Sequence, residues 1–266
     1  MKLSKFFAVA AIGFSAVLMC NAEVIPMNAD FLRNAWTNSL KCDGNQITVS
    51  GRSFLVSRKP IDIDHAKKYS FKITAVGNKV KPTNIYVGFD FCNENGKGIA
   101  AHHLQGLQYT ITPLARDAKK GDTKIYIAKG AAWVRGGSVC IVKDAKADNS
   151  DVPNAKVVGE NVTAVKKVGA EWEITLAKGL TEDLPAKTSL RQHLKGGYYY
   201  CVANKSIPAE GEIVLQGTVS GLPKYLQQYN AKNWPIGAKK AYFIILADWS
   251  NTKTPVILKD ATFTIE

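Results

Sequence analysis

The stretch Lys240–Trp249, KAYFIILADW, decides the fold class. Ala241, Phe243, Ile245 and Ala247 share one parity; Tyr242, Ile244 and Leu246 share the other. Alternate side chains of a strand point to opposite faces, so a strand here is apolar on both. Such a strand belongs in the middle of a sheet rather than at its edge. Its length and its β-branched and aromatic content argue against a buried helix. A central strand this late in the chain must collect its partners from distant sequence.

Further strands appear on working outward. Tyr69, Phe71 and Ile73 alternate with Ser70, Lys72 and Thr74, a half-buried pattern. Ile85, Val87, Phe89 and Phe91 alternate with Tyr86, Gly88, Asp90 and Cys92, giving one apolar and one mixed face. Tyr109, Ile111 and the threonines beside them predict another strand. Ile213, Leu215, Gly217 and Val219 share a parity, and Val256–Glu266 closes the chain as a last strand. Asp43-Gly44-Asn45, Gly77-Asn78 and Asn93-Glu94-Asn95-Gly96 are turn signals. The texture changes at Pro113. Short strands at Lys124–Ala128, Ser138–Val142, Val157–Val165, Glu171–Leu176 and Ser189–Arg191 follow with close turns, as in a compact β subdomain. The prediction is an all-β sandwich over residues 23–112 and 198–266, with a small β subdomain, 113–197, inserted in it.

The first 22 residues read as a secretory signal. Lys2 and Lys5 precede the apolar run Phe6–Met19, and Cys20-Asn21-Ala22 offers small residues for cleavage after Ala22. Lipidation at Cys20 is the competing reading; Met19 fits that processing poorly. No later run reaches the roughly 18 apolar residues of a membrane helix. The expectation is an exported protein, secreted, periplasmic or at the cell surface. Cys42, Cys92, Cys140 and Cys201 would survive cleavage. An oxidising compartment permits disulfides among them in any of three pairings, and a chain this long can also keep them as buried thiols.

The chain carries 35 basic and 22 acidic residues, a formal net charge of +13. The basic pairs, such as Arg58-Lys59, Lys119-Lys120 and Lys239-Lys240, are scattered over turns and strand starts. No Arg-rich or aromatic-interleaved stretch points to nucleic acid. The charge suits an anionic glycan or cell surface, or simply marks the solvated turns of a basic secreted protein. The sequence contains no GxSxG, no HExxH and no phosphate-binding glycine loop, so no enzyme is expected. Adjacent His102 and His103 would face opposite sides of a strand and so would not share a metal.

Several segments together carry a resemblance. Lys67-Lys68-Tyr69-Ser70-Phe71, Tyr86–Gly96 (YVGFDFCNENG), Leu215–Gly221 (LQGTVSG) and Val256–Glu266 (VILKDATFTIE) are similar to strands and turns of the galactose-binding-like jelly rolls. This is the β-sandwich of many carbohydrate-binding modules, families 4 and 9 among them. The resemblance implies a jelly-roll sandwich, a non-catalytic role in binding polysaccharide, and a structural calcium in some members.

Flat aromatic faces stack on sugar rings because the axial C–H groups are apolar and slightly positive. Trp234, Tyr229 and Tyr225 lie in a polar connection, and Trp249 ends the opening strand at the sheet's rim. In Tyr198-Tyr199-Tyr200 the rings should alternate in and out, which makes Tyr199 a further candidate. Large aromatics also plug the ends of sandwiches. Asp90, Glu94 and Asp260 offer hard oxygens for a calcium, without EF-hand spacing; no other cofactor is expected. The reading is an exported carbohydrate-binding protein. The alternative is a structural or adhesion protein of the cell surface that works through protein contacts.

Overall fold

The computed structural model describes residues 22–37, 40–77, 79–93, 95–194, 197–226 and 231–266. The cleavage site expected after Ala22 and the Cys20 alternative adjoin or fall in residues outside that set. The strands in chain order are β1 (Glu23–Pro26), β2 (Leu32–Asn34), β3 (Lys41–Asp43), β4 (Gln46–Ser50), β5 (Ser53–Ser57), β6 (Ile61–Asp62), β7 (Lys68–Val76), β8 (Thr83–Cys92), β9 (Gly98–Ile99) and β10 (Thr112–Pro113). They continue as β11 (Lys124–Ile127), β12 (Ser138–Ile141), β13 (Lys156–Glu160), β14 (Val162–Val168), β15 (Glu171–Leu176), β16 (Ser189–His193), β17 (Tyr200–Ile207), β18 (Glu212–Ser220), β19 (Lys240–Ala247) and β20 (Pro255–Ile265). Among the described residues no helix is long and apolar enough to cross a membrane.

Two antiparallel sheets face each other. The first runs β18-β7-β20-β4-β3, with β1 along β20. The second runs β17-β8-β19-β5-β2, with β6 on β19 and β9 on β8. The pairs nest. β8 meets β17 in the second sheet, β7 meets β18 in the first, β5 meets β19 in the second and β4 meets β20 in the first. One long hairpin has been rolled up, its layers falling alternately into the two sheets. That is a jelly roll.

Inward parities build the core. Tyr69, Phe71 and Ile73 of β7 face Ile85, Val87, Phe89 and Phe91 of β8 and Phe243 and Ile245 of β19, all buried. Fully burying one such side chain stabilises by roughly 1.5–3 kcal/mol. Lys240–Ala247 is central, with β8 on one side and β5 and β6 on the other.

The insertion sits at the tip of the rolled hairpin, between β9 and β17. It forms one sheet of order β10-β16-β12-β13 and another of order β11-β15-β14. Leu114, Ile125, Ile127, Val139, Val158, Ile174, Leu176 and Leu190 make a core of its own. Three strand expectations are corrected. Ala101–Leu104, which carries His102 and His103, is a 3-10 helical turn. The Val157–Val165 stretch is two strands, because Asn161 turns left-handed (φ 56) and sends β13 and β14 to different sheets. Tyr109 has φ 63 and is 82 % exposed, and the Thr110 hydroxyl donates to the Leu107 carbonyl at 2.7 Å. That local bond makes a turn of residues expected to be extended.

Cys42, Cys92 and Cys140 are free thiols. They lie in the first sheet, the second sheet and the insertion, too dispersed for pairing. Cys201 donates from its Sγ to the Ala203 carbonyl at 3.4 Å. Burial pushes the Cys140 thiol up to about 12, which keeps it protonated and unreactive.

Candidate functional site

One parity of β19 fills the core, and the other faces outward. Outward-facing Ile244 is nevertheless 2 % exposed and Leu246 7 %. Their cross-strand neighbours explain this. Ile244 stands between Gly88 and Val56, and Leu246 between Tyr86 and Phe54. A second layer of rings lies against this face. Trp249 stacks with Trp36 at 6.1 Å, and Trp36 meets Phe54 edge-on at 6.1 Å. Phe54 packs on Tyr199 at 5.2 Å, and Tyr199 on Tyr198 at 5.0 Å. The chain of rings borders a hollow of 230 Å³ lined by Tyr86, Gly88, Tyr198, Tyr199, Ile244, Leu246 and Trp249 among others. Trp36 (54 %) and Tyr198 (51 %) remain open to solvent.

Backbone features place these rings. Asp248 is fully buried with a left-handed φ of 46. Its carboxylate accepts hydrogen bonds from Thr83 Oγ1 at 2.7 Å and from Thr252 N and Oγ1 at 2.9 Å. These charge-assisted bonds fix the turn that follows β19. Trp249 N then donates to the Asn84 carbonyl at 2.9 Å, and Arg52 Nη2 to the Trp249 carbonyl at 3.2 Å. The Arg52 guanidinium lies 4.8 Å from the Trp249 ring centroid, a cation–π contact. Opposite, Gly88 lets β17 approach. A Cβ there would come 1.9 Å from the Tyr200 carbonyl oxygen, and β17 is bulged between Cys201 and Ala203.

Asp90 extends the mixed face of β8 beside Tyr242. Burial raises its pKa from 3.8 to about 6, and its Oδ1 is buried with no hydrogen-bond partner. Burial, and then the charge of Asp90, raise the Tyr199 phenol. Folded Asp90 therefore holds its proton to higher pH than unfolded Asp90. Stability falls as pH rises from about 4 to about 6, and the loss persists above that window. The ceiling is about 3 kcal/mol; partial exposure and solvent screening bring the expected size to about 1 kcal/mol. Asp90→Asn should thus raise stability by about 1 kcal/mol at pH 8 and leave it unchanged at pH 4, read from urea unfolding at both. Equal effects at the two pH values would reject the assignment.

Two of the sequence-derived candidates, Trp249 and Tyr199, meet in this hollow. Trp234 does not. It is 0 % exposed in the sandwich core, against Phe89 at 4.7 Å and Tyr69 at 5.1 Å, so no ring face is free to stack on a ligand. Tyr225 is 45 % exposed beside Lys224 and is not among the residues lining the hollow. Tyr229 and Glu94 lie outside the described residues. Asp90 and Asp260 cannot share an ion. Asp90 faces outward from the second sheet, whereas Asp260 sits exposed on the bulge of β20 in the first, with the core between them. Among the described residues no three His, Cys, Asp or Glu side chains are grouped to hold a metal.

No family model, curated protein or solved structure matches this chain. The hollow must be read from its own chemistry. Sequence reasoning missed Phe54 and Tyr86 as its neighbours. The signal was present in β8, where Tyr86, Gly88 and Asp90 share a parity; the pairing that sets them beside Ile244 and Leu246 was not.

Proposed function

We propose that this is an exported, non-catalytic carbohydrate-binding protein, similar in role to the carbohydrate-binding modules that its sequence resembles. The observation that carries the reading is the continuous series of rings from Trp249 through Trp36, Phe54 and Tyr199 to Tyr198, set around an apolar hollow on an outward sheet face. A pyranose ring offers the apolar C–H face that such rings stack on. Arg52 and Asp90 at the margins supply polar contacts that orient it. A hollow of 230 Å³ accepts about one sugar residue, so modest affinity is expected.

Titration calorimetry of the mature chain against neutral and anionic oligosaccharides should detect binding. Trp249→Ala should weaken it about tenfold or more, because the stacking face is lost. Absence of binding across such a panel would remove the reading.

The exposed rings of Trp36 and Tyr198 also favour the second reading, a cell-surface adhesion or structural protein whose apolar face meets another protein. It predicts self-association in light scattering that Trp36→Ser abolishes. A monomer at high concentration speaks against it.

A further inference from the structure

The outward face of the first sheet is built differently. Cross-strand registers place Thr262, Lys72 and Gln216 in one row over β20, β7 and β18, and Thr264, Ser70 and Thr218 in the next. Rows two residues apart are separated by about 7 Å. Short hydroxyl side chains keep this face low. The segment carrying Lys232 borders it, since Ser220 N donates to the Lys232 carbonyl at 2.9 Å. The result is a trough of 880 Å³, much larger than the aromatic hollow and on the opposite side of the sandwich.

The trough's chemistry is one-sided. Lys72 and Lys232 line it, and none of its described lining residues is acidic. Lys72 makes no ion pair with a described residue. Beyond the lining, Glu266 pairs with Lys68 and Glu212 with Lys259 at 2.7 Å, while Asp260 stands exposed on the β20 bulge between Lys259 and Thr262. The lining is therefore electropositive and rich in hydroxyl groups, which with the Gln216 amide both donate and accept hydrogen bonds. Among the described residues its one aromatic lining residue, Phe71, is buried.

We propose that this trough is a second binding surface, which takes a linear anionic polysaccharide laid across the strands of the first sheet. Lys72 and Lys232 would meet its sulfates or carboxylates as point charges. Thr218, Thr264, Ser70 and Gln216 would bond its hydroxyls. The proposal does not depend on the aromatic hollow.

Affinity electrophoresis of the mature chain through chondroitin sulfate, polygalacturonate or dextran tests it, with oligothymidylate as a polyanion without sugar hydroxyls in register. Retardation by one or both anionic polysaccharides, weakened by added salt and absent with dextran, is expected. The arms distinguish sulfate from carboxylate. The double variant Lys72→Ala/Lys232→Ala should lose about tenfold or more in affinity, while Lys166→Ala/Lys167→Ala, which removes the same charge from β14 of the insertion, keeps it. Unchanged thermal unfolding of both variants shows that they are folded. No retardation by either polymer, an unaffected Lys72→Ala/Lys232→Ala variant, equal loss on Lys166→Ala/Lys167→Ala, or equal retardation by oligothymidylate would each overturn the proposal.

Discussion

Trp234→Ala should cost about 3–5 kcal/mol of sandwich stability. The ring is fully buried and meets Tyr69, Phe89 and Phe91 edge-on, at 4.7–6.4 Å between centroids. Its removal leaves a cavity bordered by both sheets, and the neighbouring rings can collapse into it only partly. Trp234→Phe should cost much less, since it also removes an indole N–H that is buried without a partner. Urea unfolding followed by circular dichroism separates the two variants. If Trp234→Ala instead kept full stability and lost glycan binding, the core placement of this ring would be wrong.

The second large effect lies in the insertion. Arg191 is 0 % exposed, and its Nη2 stands 2.9 Å from Asp151 Oδ2 as a buried ion pair. Asp151 Oδ1 also accepts the backbone N–H of Lys146 at 3.0 Å. The contact is an ion pair without hydrogen-bond alignment, so Nε, Nη1 and Nη2 of Arg191 and Oδ2 of Asp151 all lack a hydrogen-bond partner. Removing Asp151 would leave a guanidinium charge buried and uncompensated. Asp151→Ala is expected to destabilise the insertion by about 3–5 kcal/mol. Replacing both partners, Asp151→Ala with Arg191→Met, should recover most of that, because no charge then remains to desolvate. Trp133 and Trp172 lie in the insertion and report its unfolding by fluorescence. Equal stability of the single and double variants would show that the pair carries no such charge penalty.

The two predictions differ in how far the sequence pointed to them. Trp234 was visible as a tryptophan in a polar connection, and that setting argued for exposure. The chain instead turns inward there: Trp234 N bonds the Gly221 carbonyl at 3.0 Å and the ring enters the core. Local polarity does not report which way one side chain of an irregular segment points. Arg191 was legible only as one residue of a short strand. Its burial depends on Asp151, forty residues earlier on a separate loop.

By itself the sequence determined the alternation of the long strands, and with it the all-β class, the two-sided apolar character of Lys240–Ala247 and the break at Pro113. Side-chain parity is a local property of an extended backbone, so a short window suffices to read it. Only the tertiary structure decided what the second face of that strand is for. Strands β5 and β8 come from distant sequence to lie beside it, with β17 beyond β8, and two turns bring Trp36 and Trp249 together across it. Pairing between remote strands depends on which whole arrangement buries the most apolar surface, and no short stretch of residues encodes that choice.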